Sequence, residues 1–222
     1  MPSVKIGAVT VGQAPRVDVT ADILPLLSGV ELLEKGGLDG LTREEIAAFR
    51  PEEGDYVLVS RLTDGSSVTF AEKYVLPRLQ KAITELEEEG CRLILFFCTG
   101  DFPDTFQSRV PLLFPSRVLK GVAPAIPSRK TAIVNPSPLQ KDQCLEKWKP
   151  YLQEPVSFAV SPYEGEAGVR QCARQVAETD CDMVILDCIG YTQKMKEIFQ
   201  EETGKRVILP RTLLARVAME LL

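Results

Sequence analysis

The chain has 222 residues, 45% hydrophobic and 26% charged, a balance that suits a globular protein and fills either one large domain or two small lobes. A net charge of −5, with Lys and Arg scattered, leaves no basic footprint and argues against nucleic acid as the main partner. The complete absence of histidine excludes Ser-His and Cys-His dyads, histidine metal sites and histidine general bases together, so any chemistry falls to Cys, Asp, Glu, Lys, Tyr or Ser.

No apolar run approaches the roughly 18 residues of a membrane span. Met1-Pro2-Ser3-Val4 opens directly into strand-like sequence without a signal-peptide pattern, so a cytoplasmic protein is expected. Six cysteines without a CxxC gap predict neither a disulfide framework nor a zinc ribbon, and no metal is expected.

Residues 4–10 read as a strand buried on both faces, ending in the Gly/Pro loop Val11-Gly12-Gln13-Ala14-Pro15-Arg16. Ligands of open α/β sheets bind beyond the C-terminal strand ends, so this loop is a candidate site wall. It is neither a dinucleotide fingerprint nor a P-loop, and no cofactor is expected. Residues 18–27 carry helical spacing at Val19, Ile23 and Leu27, and 30–33 predict a short strand broken by Lys35-Gly36-Gly37. Thr42-Arg43-Glu44-Glu45 is a capping box opening a short helix through Phe49. Residues 56–61 and 67–70 flank an Asp64-Gly65 turn and predict a hairpin. Residues 71–89 predict a long helix with Val75, Leu79, Ile83 and Leu86 on one stripe, and 93–97 a strand delivering Cys98.

Residues 100–115 contain Pro103, Pro111 and Pro115 and read as irregular, with Ser116 the expected N-cap of the next helix. Strands over 131–134, 156–160, 183–186 and 207–209 then alternate with helices over 139–149, 166–178, 193–203 and 211–222, the last presenting Leu214, Val217 and Leu221. Alternation of this kind predicts parallel sheet covered by helices on both faces. The expected fold is α/β with two similar lobes facing across a cleft. Lobe 1 comprises residues 1–115 plus the C-terminal helix 210–222, and lobe 2 residues 116–209.

Two stretches echo each other. Leu93-Ile94-Leu95-Phe96-Phe97-Cys98-Thr99-Gly100 and Met183-Val184-Ile185-Leu186-Asp187-Cys188-Ile189-Gly190 are apolar runs that end in Cys and meet Gly two residues later. A strand end that turns into a helix aims backbone N–H groups and the positive helix terminus at its last side chain, and this lowers a thiol pKa without histidine. Cys188 has that context, since Gly190, Tyr191 and Thr192 precede a helix; Cys98 meets a proline-rich loop instead. Asp187 and Asp101 oppose thiolate formation if close, although either could orient a partner or act as a base. Two facing thiols suit removal of a proton next to a carboxylate by one and return of a proton to the opposite face by the other. Thr99, Thr192 and the turn amides, Gly100 and Gly190 included, are suited to holding the carboxylate. Arg16 and Arg211, each just past a strand, could fork onto it or serve equally as salt-bridge residues. Asn135-Pro136-Ser137-Pro138 is a further strand-end loop that turn chemistry explains as well. Packing alone also accounts for buried free cysteines, and Cys91, Cys144, Cys172 and Cys181 are read as filler.

The Cys98-Thr99 and Cys188-Ile189-Gly190-Tyr191-Thr192 segments resemble the two cysteine motifs of the aspartate/glutamate/hydantoin racemase superfamily. Within it, Thr10-Val11-Gly12-Gln13-Ala14-Pro15-Arg16, Leu41-Thr42-Arg43-Glu44-Glu45, Pro115-Ser116-Arg117-Val118-Leu119 and Leu186-Asp187-Cys188-Ile189-Gly190-Tyr191 resemble the AroM family, nearly along the whole chain. The resemblance implies one Cys per lobe, substrate between them, and a closing helix that returns to the first lobe. Gly100 departs from the racemase pattern of Asn-Thr after the first Cys, and Ile189-Gly190-Tyr191 from the acidic or His residue after the second. The expected function is a cofactor-independent racemase or isomerase using Cys98 and Cys188 on a small carboxylate ligand. The alternatives are a non-catalytic carboxylate-binding or regulatory protein, linked through the family name to aromatic amino-acid metabolism, and a thiol redox sensor. A homodimer is compatible with either enzyme or binder.

Overall fold

The computed structural model describes residues 4–222, so Met1, Pro2 and Ser3 of the predicted opening segment lie outside the described residues. In chain order the elements are β1 (Val4–Thr10), α1 (Val17–Ile23), β2 (Val30–Gly36), α2 (Arg43–Ala47), β3 (Val57–Arg61), β4 (Ser67–Ala71), α3 (Leu76–Glu88), β5 (Ile94–Phe96), β6 (Leu112–Leu113), α4 (Pro115–Val122), β7 (Lys130–Asn135), α5 (Lys141–Trp148), β8 (Glu154–Ala159), α6 (Glu166–Ala177), β9 (Met183–Leu186), α7 (Gln193–Thr203), β10 (Arg206–Ile208) and α8 (Pro210–Glu220). Among the described residues no helix is long and apolar enough to cross a membrane.

The strands form two parallel sheets ordered β2-β1-β5-β6 and β10-β9-β7-β8, plus the separate antiparallel hairpin β3-β4. Counted within its own half of the chain, each sheet has the order 2-1-3-4. The chain is therefore a two-lobe α/β fold built from two copies of one topology, with the hairpin inserted in the first.

The central strands β1, β5, β7 and β9 are buried on both faces, which explains their near-continuous apolar runs. Side chains alternate along β1 and β5, so Val9, Ile94 and Phe96 pack under α3 while Ile6, Ala8 and Leu95 pack under α1 and α8. The predicted α3 stripe of Val75, Leu79, Ile83 and Leu86 is wholly buried, each side chain contributing roughly 1.5–3 kcal/mol relative to exposure. In the second sheet Val134, Val184 and Leu186 face α6 and α7, while Ile133, Met183 and Ile185 face α4 and Trp148 of α5.

Five local expectations are corrected. β2 runs past residue 33 to Gly36, with seven parallel pairs to β1; Gly36 is there because a Cβ would sit 2.5 Å from the Gly12 carbonyl oxygen. The helix expected from residue 71 begins at Leu76, after a 3-10 turn over Glu72–Tyr74. The irregular segment hides β6, the fourth strand of its sheet, and is pinned by packing of Phe96 with Phe102, Phe106 and Phe114 at ring-centroid distances of 5.4, 5.3 and 4.1 Å. Ser116 is buried inside α4 rather than capping it, because Pro115 occupies the first helical position and Phe114 the cap. The buried face of α8 is Arg211, Leu214, Ala215 and Ala218, so Val217 turns partly and Leu221 largely to solvent.

Candidate active site

In a sheet of order 2-1-3-4 the connections from the first and third strands leave in opposite directions, and the crevice at their C-terminal ends is where ligands bind. Cys98 follows β5, the third strand of its sheet, and Cys188 follows β9, the third strand of the other. The neighbouring first strands, β1 and β7, end at the Gly12 loop and at Asn135-Pro136. The two crevices meet in a single cavity of about 30 Å³ lined by both cysteines, with Tyr56, Leu58 and Ser60 of the hairpin region forming a further wall.

The two turns are built alike. The Gly100 N–H donates to Cys98 Sγ at 3.4 Å, and the Gly190 N–H donates to Cys188 Sγ at 3.4 Å. Neither Thr99 nor Ile189, the residue between, spends its amide N–H on a backbone carbonyl among the described residues. Space is tight at both glycines: a Cβ on Gly100 would press on the end of Leu58 at 3.1 Å, and one on Gly190 would meet the Tyr163 hydroxyl at 2.5 Å and Pro162 Cγ at 2.9 Å.

A buried ion pair joins the turns. The Lys147 ammonium donates to the Asp187 carboxylate at 2.8 and 2.9 Å and to the Thr99 carbonyl at 2.7 Å; the Trp148 indole N–H donates to Asp187 Oδ2 at 2.7 Å. Thr99 Oγ1 in turn donates to the Asp187 carbonyl at 3.0 Å. Lys147, Trp148 and Asp187 are all buried, and the charge-assisted bonds offset the cost of taking the pair out of water.

Burial pushes the Cys98 thiol up to about 12, against the opposing Gly100 N–H. Burial also raises Cys188, against the Gly190 N–H and the Arg16 and Arg211 guanidinium charges, while Asp187 adds to the rise. Burial likewise works against the Asp18 carboxylate, but the Arg16 fork outweighs it and holds Asp18 below its usual range.

Of the residues singled out in the sequence, Arg16, Cys98, Thr99, Gly100, Asn135, Asp187 and Cys188 line this cavity; so does Cys144, a third thiol, where mere filler is expected from the sequence. Arg16 is not free to fork a ligand. It forks onto Asp18 at 2.8 and 2.8 Å and donates to Thr10, Ser60 and Tyr163 at 3.1, 3.3 and 3.2 Å. Asn135 Nδ2 is engaged by Ser157 Oγ at 2.7 Å and the Phe158 carbonyl at 3.2 Å.

Gly12, Gln13, Gly190, Tyr191, Thr192 and Arg211 do not line it. Gly12 abuts the hairpin, where a Cβ would lie 2.3 Å from Ser60 Oγ, and Gln13 Oε1 accepts from Thr63 N–H and hydroxyl, both at 3.0 Å. Tyr191 is buried in the second core with its hydroxyl on the Val160 carbonyl at 2.6 Å. Thr192 caps α7, its Oγ1 accepting from the Met195 N–H at 3.2 Å. Arg211 is a fully buried brace, donating to the Ile189 carbonyl at 2.9 and 2.7 Å, the Asp18 carbonyl at 2.7 Å and Asp22 at 2.9 Å.

The sequence reading missed Tyr56, Ser60, Gln140, Gln143 and Lys147 as lining residues. Only Lys147 left a trace. It falls on the same helical face as Cys144 and Trp148, a charge set in an apolar stripe.

No curated relative matches the chain by sequence. Allantoin racemase from Klebsiella pneumoniae superposes with a TM-score of 0.67 at 16% identity, over 99% of this chain and 87% of that one. Glutamate racemase from Francisella tularensis subsp. tularensis SCHU S4, in complex with D-glutamate, gives 0.62 at 11% identity over 100% and 81%. A Cys-to-Ala variant of maleate isomerase Iso from Pseudomonas putida S16, with maleate, gives 0.61 at 10% identity over 99% and 92%. At such identities the likeness is one of fold alone. The model of the family described as AroM protein matches residues 6–222, and the chain belongs to the AroM family.

Proposed function

We propose that the protein is a racemase or isomerase acting on a small carboxylate by proton transfer between two thiols, without a cofactor. In the forward step a Cys188 thiolate takes the proton from the carbon next to the carboxylate: the C–H bond breaks and an S–H bond forms. The carbanion charge spreads onto the carboxylate, where the free amides of Thr99 and Ile189 stabilise it. The Cys98 thiol then gives its proton to the opposite face, so proton and charge balance with no redox partner. The observation carrying this reading is the pair of equivalent Cys-x-Gly turns opening on one cavity. The structural neighbours add support, since a racemase and an isomerase of the same fold are named as holding D-glutamate and maleate.

The raised thiol pKa values favour a second reading, a carboxylate-binding protein that does no chemistry, because a resting site with two neutral thiols lacks a ready base. Incubation of amino and hydroxy acids in deuterated water separates the two. The enzyme reading expects deuterium at the α-carbon, lost by a factor on the order of 10²–10⁴ in Cys98→Ala or Cys188→Ala. Thermal stabilisation by an acid that never exchanges would instead establish the binder.

A further inference from the structure

We propose that the substrate carries, beyond its reacting carboxylate, a neutral or cationic polar tail, and that this tail lies in a second cavity beside the thiols. The inference rests on the carboxylate chemistry proposed above. The thiol cavity, at about 30 Å³, accommodates the reacting centre and little more, so the rest of a bound substrate needs other space. A second cavity of about 430 Å³ adjoins it, sharing Val59 and Pro136 as wall. It lies between the hairpin and the C-terminal ends of β7 and β8, on the side of the sheet where ligands bind.

Its lining is rich in neutral hydrogen-bonding groups: Ser67 and Thr69 of the hairpin, Ser137 after β7, Ser161 after β8, and Gln171 and Gln175 of α6. Ser137 Oγ and Ser161 Oγ each accept from a backbone N–H, of Leu139 and Tyr163 at 3.3 and 3.2 Å, which leaves both hydroxyl protons to donate. Among the described residues Glu164 is the only charged one lining the cavity, and no Lys or Arg faces it. A second carboxylate on the substrate would meet that anion without a countercharge, whereas an amide finds donors and acceptors and an ammonium finds Glu164. The structure thus assigns a substrate class distinct from the dicarboxylates glutamate and maleate.

Binding can be read without catalysis, because the single tryptophan, Trp148, donates to Asp187 next to Cys188 and reports ligand by fluorescence, checked by calorimetry. The probes are glutamine against glutamate and asparagine against aspartate, in both enantiomers, with ornithine as the cationic member and alanine as the tail-less reference. Each amide is expected to bind about tenfold tighter than its carboxylate. Glu164→Lys should reverse that order. Gly168→Leu should plug the cavity and cut the preference for glutamine over alanine about tenfold. The Gly168 site tolerates the plug: an added Cβ meets only Val160 Cγ2, at 3.5 Å, and leucine is the better helix former, so melting should show a folded variant.

Carboxylates binding as tightly as amides, binding by no member of the panel, or a glutamine preference untouched by Gly168→Leu would each overturn the tail site. Tail-dependent binding without deuterium exchange overturns only the catalytic reading. Exchange with a dicarboxylate preference overturns only the tail.

Discussion

The Cys98 and Cys188 turns hold matching places in two sheets of one topology, yet their surroundings differ. The Cys188 turn passes straight into α7 through the Thr192 cap, is braced from behind by Arg211 on the Ile189 carbonyl, and feels two guanidinium charges. The Cys98 turn runs into an irregular segment held by phenylalanine packing; its positive neighbour is Lys147, and Glu72 adds negative charge. The repeated topology therefore decides where each sulfur sits, while the unrepeated local charge differs, with two guanidiniums and Asp187 acting on Cys188 and Lys147 and Glu72 acting on Cys98. On this comparison Cys188 is the base of the proposed forward step and Cys98 the acid.

The largest effect should come from breaking what the two turns share. Lys147→Met strands the Asp187 carboxylate in the interior and frees the Thr99 carbonyl, and should cost about 3–5 kcal/mol in urea unfolding. The double variant Lys147→Met/Asp187→Asn removes the orphaned charge and should recover a good part of that loss. A single variant within about 1 kcal/mol of the parent would show that the turns hold each other without the ion pair.

The difference between the turns is sharpened by peptide-resolved iodoacetamide alkylation against pH. Cys188 should react faster than Cys98 at every pH below about 12, the level to which burial pushes Cys98. Cationic neighbours favour the thiolate, so Arg16→Gln should move the Cys188 profile to higher pH and leave that of Cys98 in place. Equal profiles for the two cysteines would erase the division into base and acid.

Much of this architecture is legible locally. The buried strand β1, the Thr42 capping box (Thr42 Oγ1 accepting from Glu45 N–H at 3.2 Å) and the α3 stripe rest on periodicity and end chemistry that neighbouring residues alone specify. The Cys-x-Gly echo likewise marks two strand ends before any fold is known. Strand order is not local, however, and the shared 2-1-3-4 topology depends on β6, which is only two residues long and lies among prolines. Partner choice is not local either. Arg16 and Arg211 sit where a strand-end arginine could meet a ligand, but Asp18 and Asp22, brought close by α1, accept from them first. Thr192, suited by chemistry to donate to a substrate, instead accepts from the Met195 N–H as the cap of α7. Lys147 belongs to a helix that is polar overall, and only the fold shows its ammonium turned inward onto Asp187.

The smallest expected effect isolates the acidic neighbour of the Cys98 turn. Among the described residues Glu72 Oε1 is buried without a hydrogen-bond partner, and burial, aided by Asp101, pushes its carboxyl up to about 7. A raised carboxyl means the folded chain holds a proton that the unfolded chain, titrating near 4.5, has released. The contribution to stability is therefore full below about 4.5 and is lost as pH rises through about 7. Glu72 is partly exposed, so solvent screening limits this contribution to on the order of 1 kcal/mol. Urea unfolding at pH 5 and pH 8 should show that loss in the parent and a smaller one in Glu72→Gln. The same substitution removes the negative charge that opposes Cys98 ionisation, so Cys98 alkylation should begin at lower pH while Cys188 keeps its profile. A shift of both cysteines together would mean that Glu72 acts through the shared cavity and does not belong to one turn.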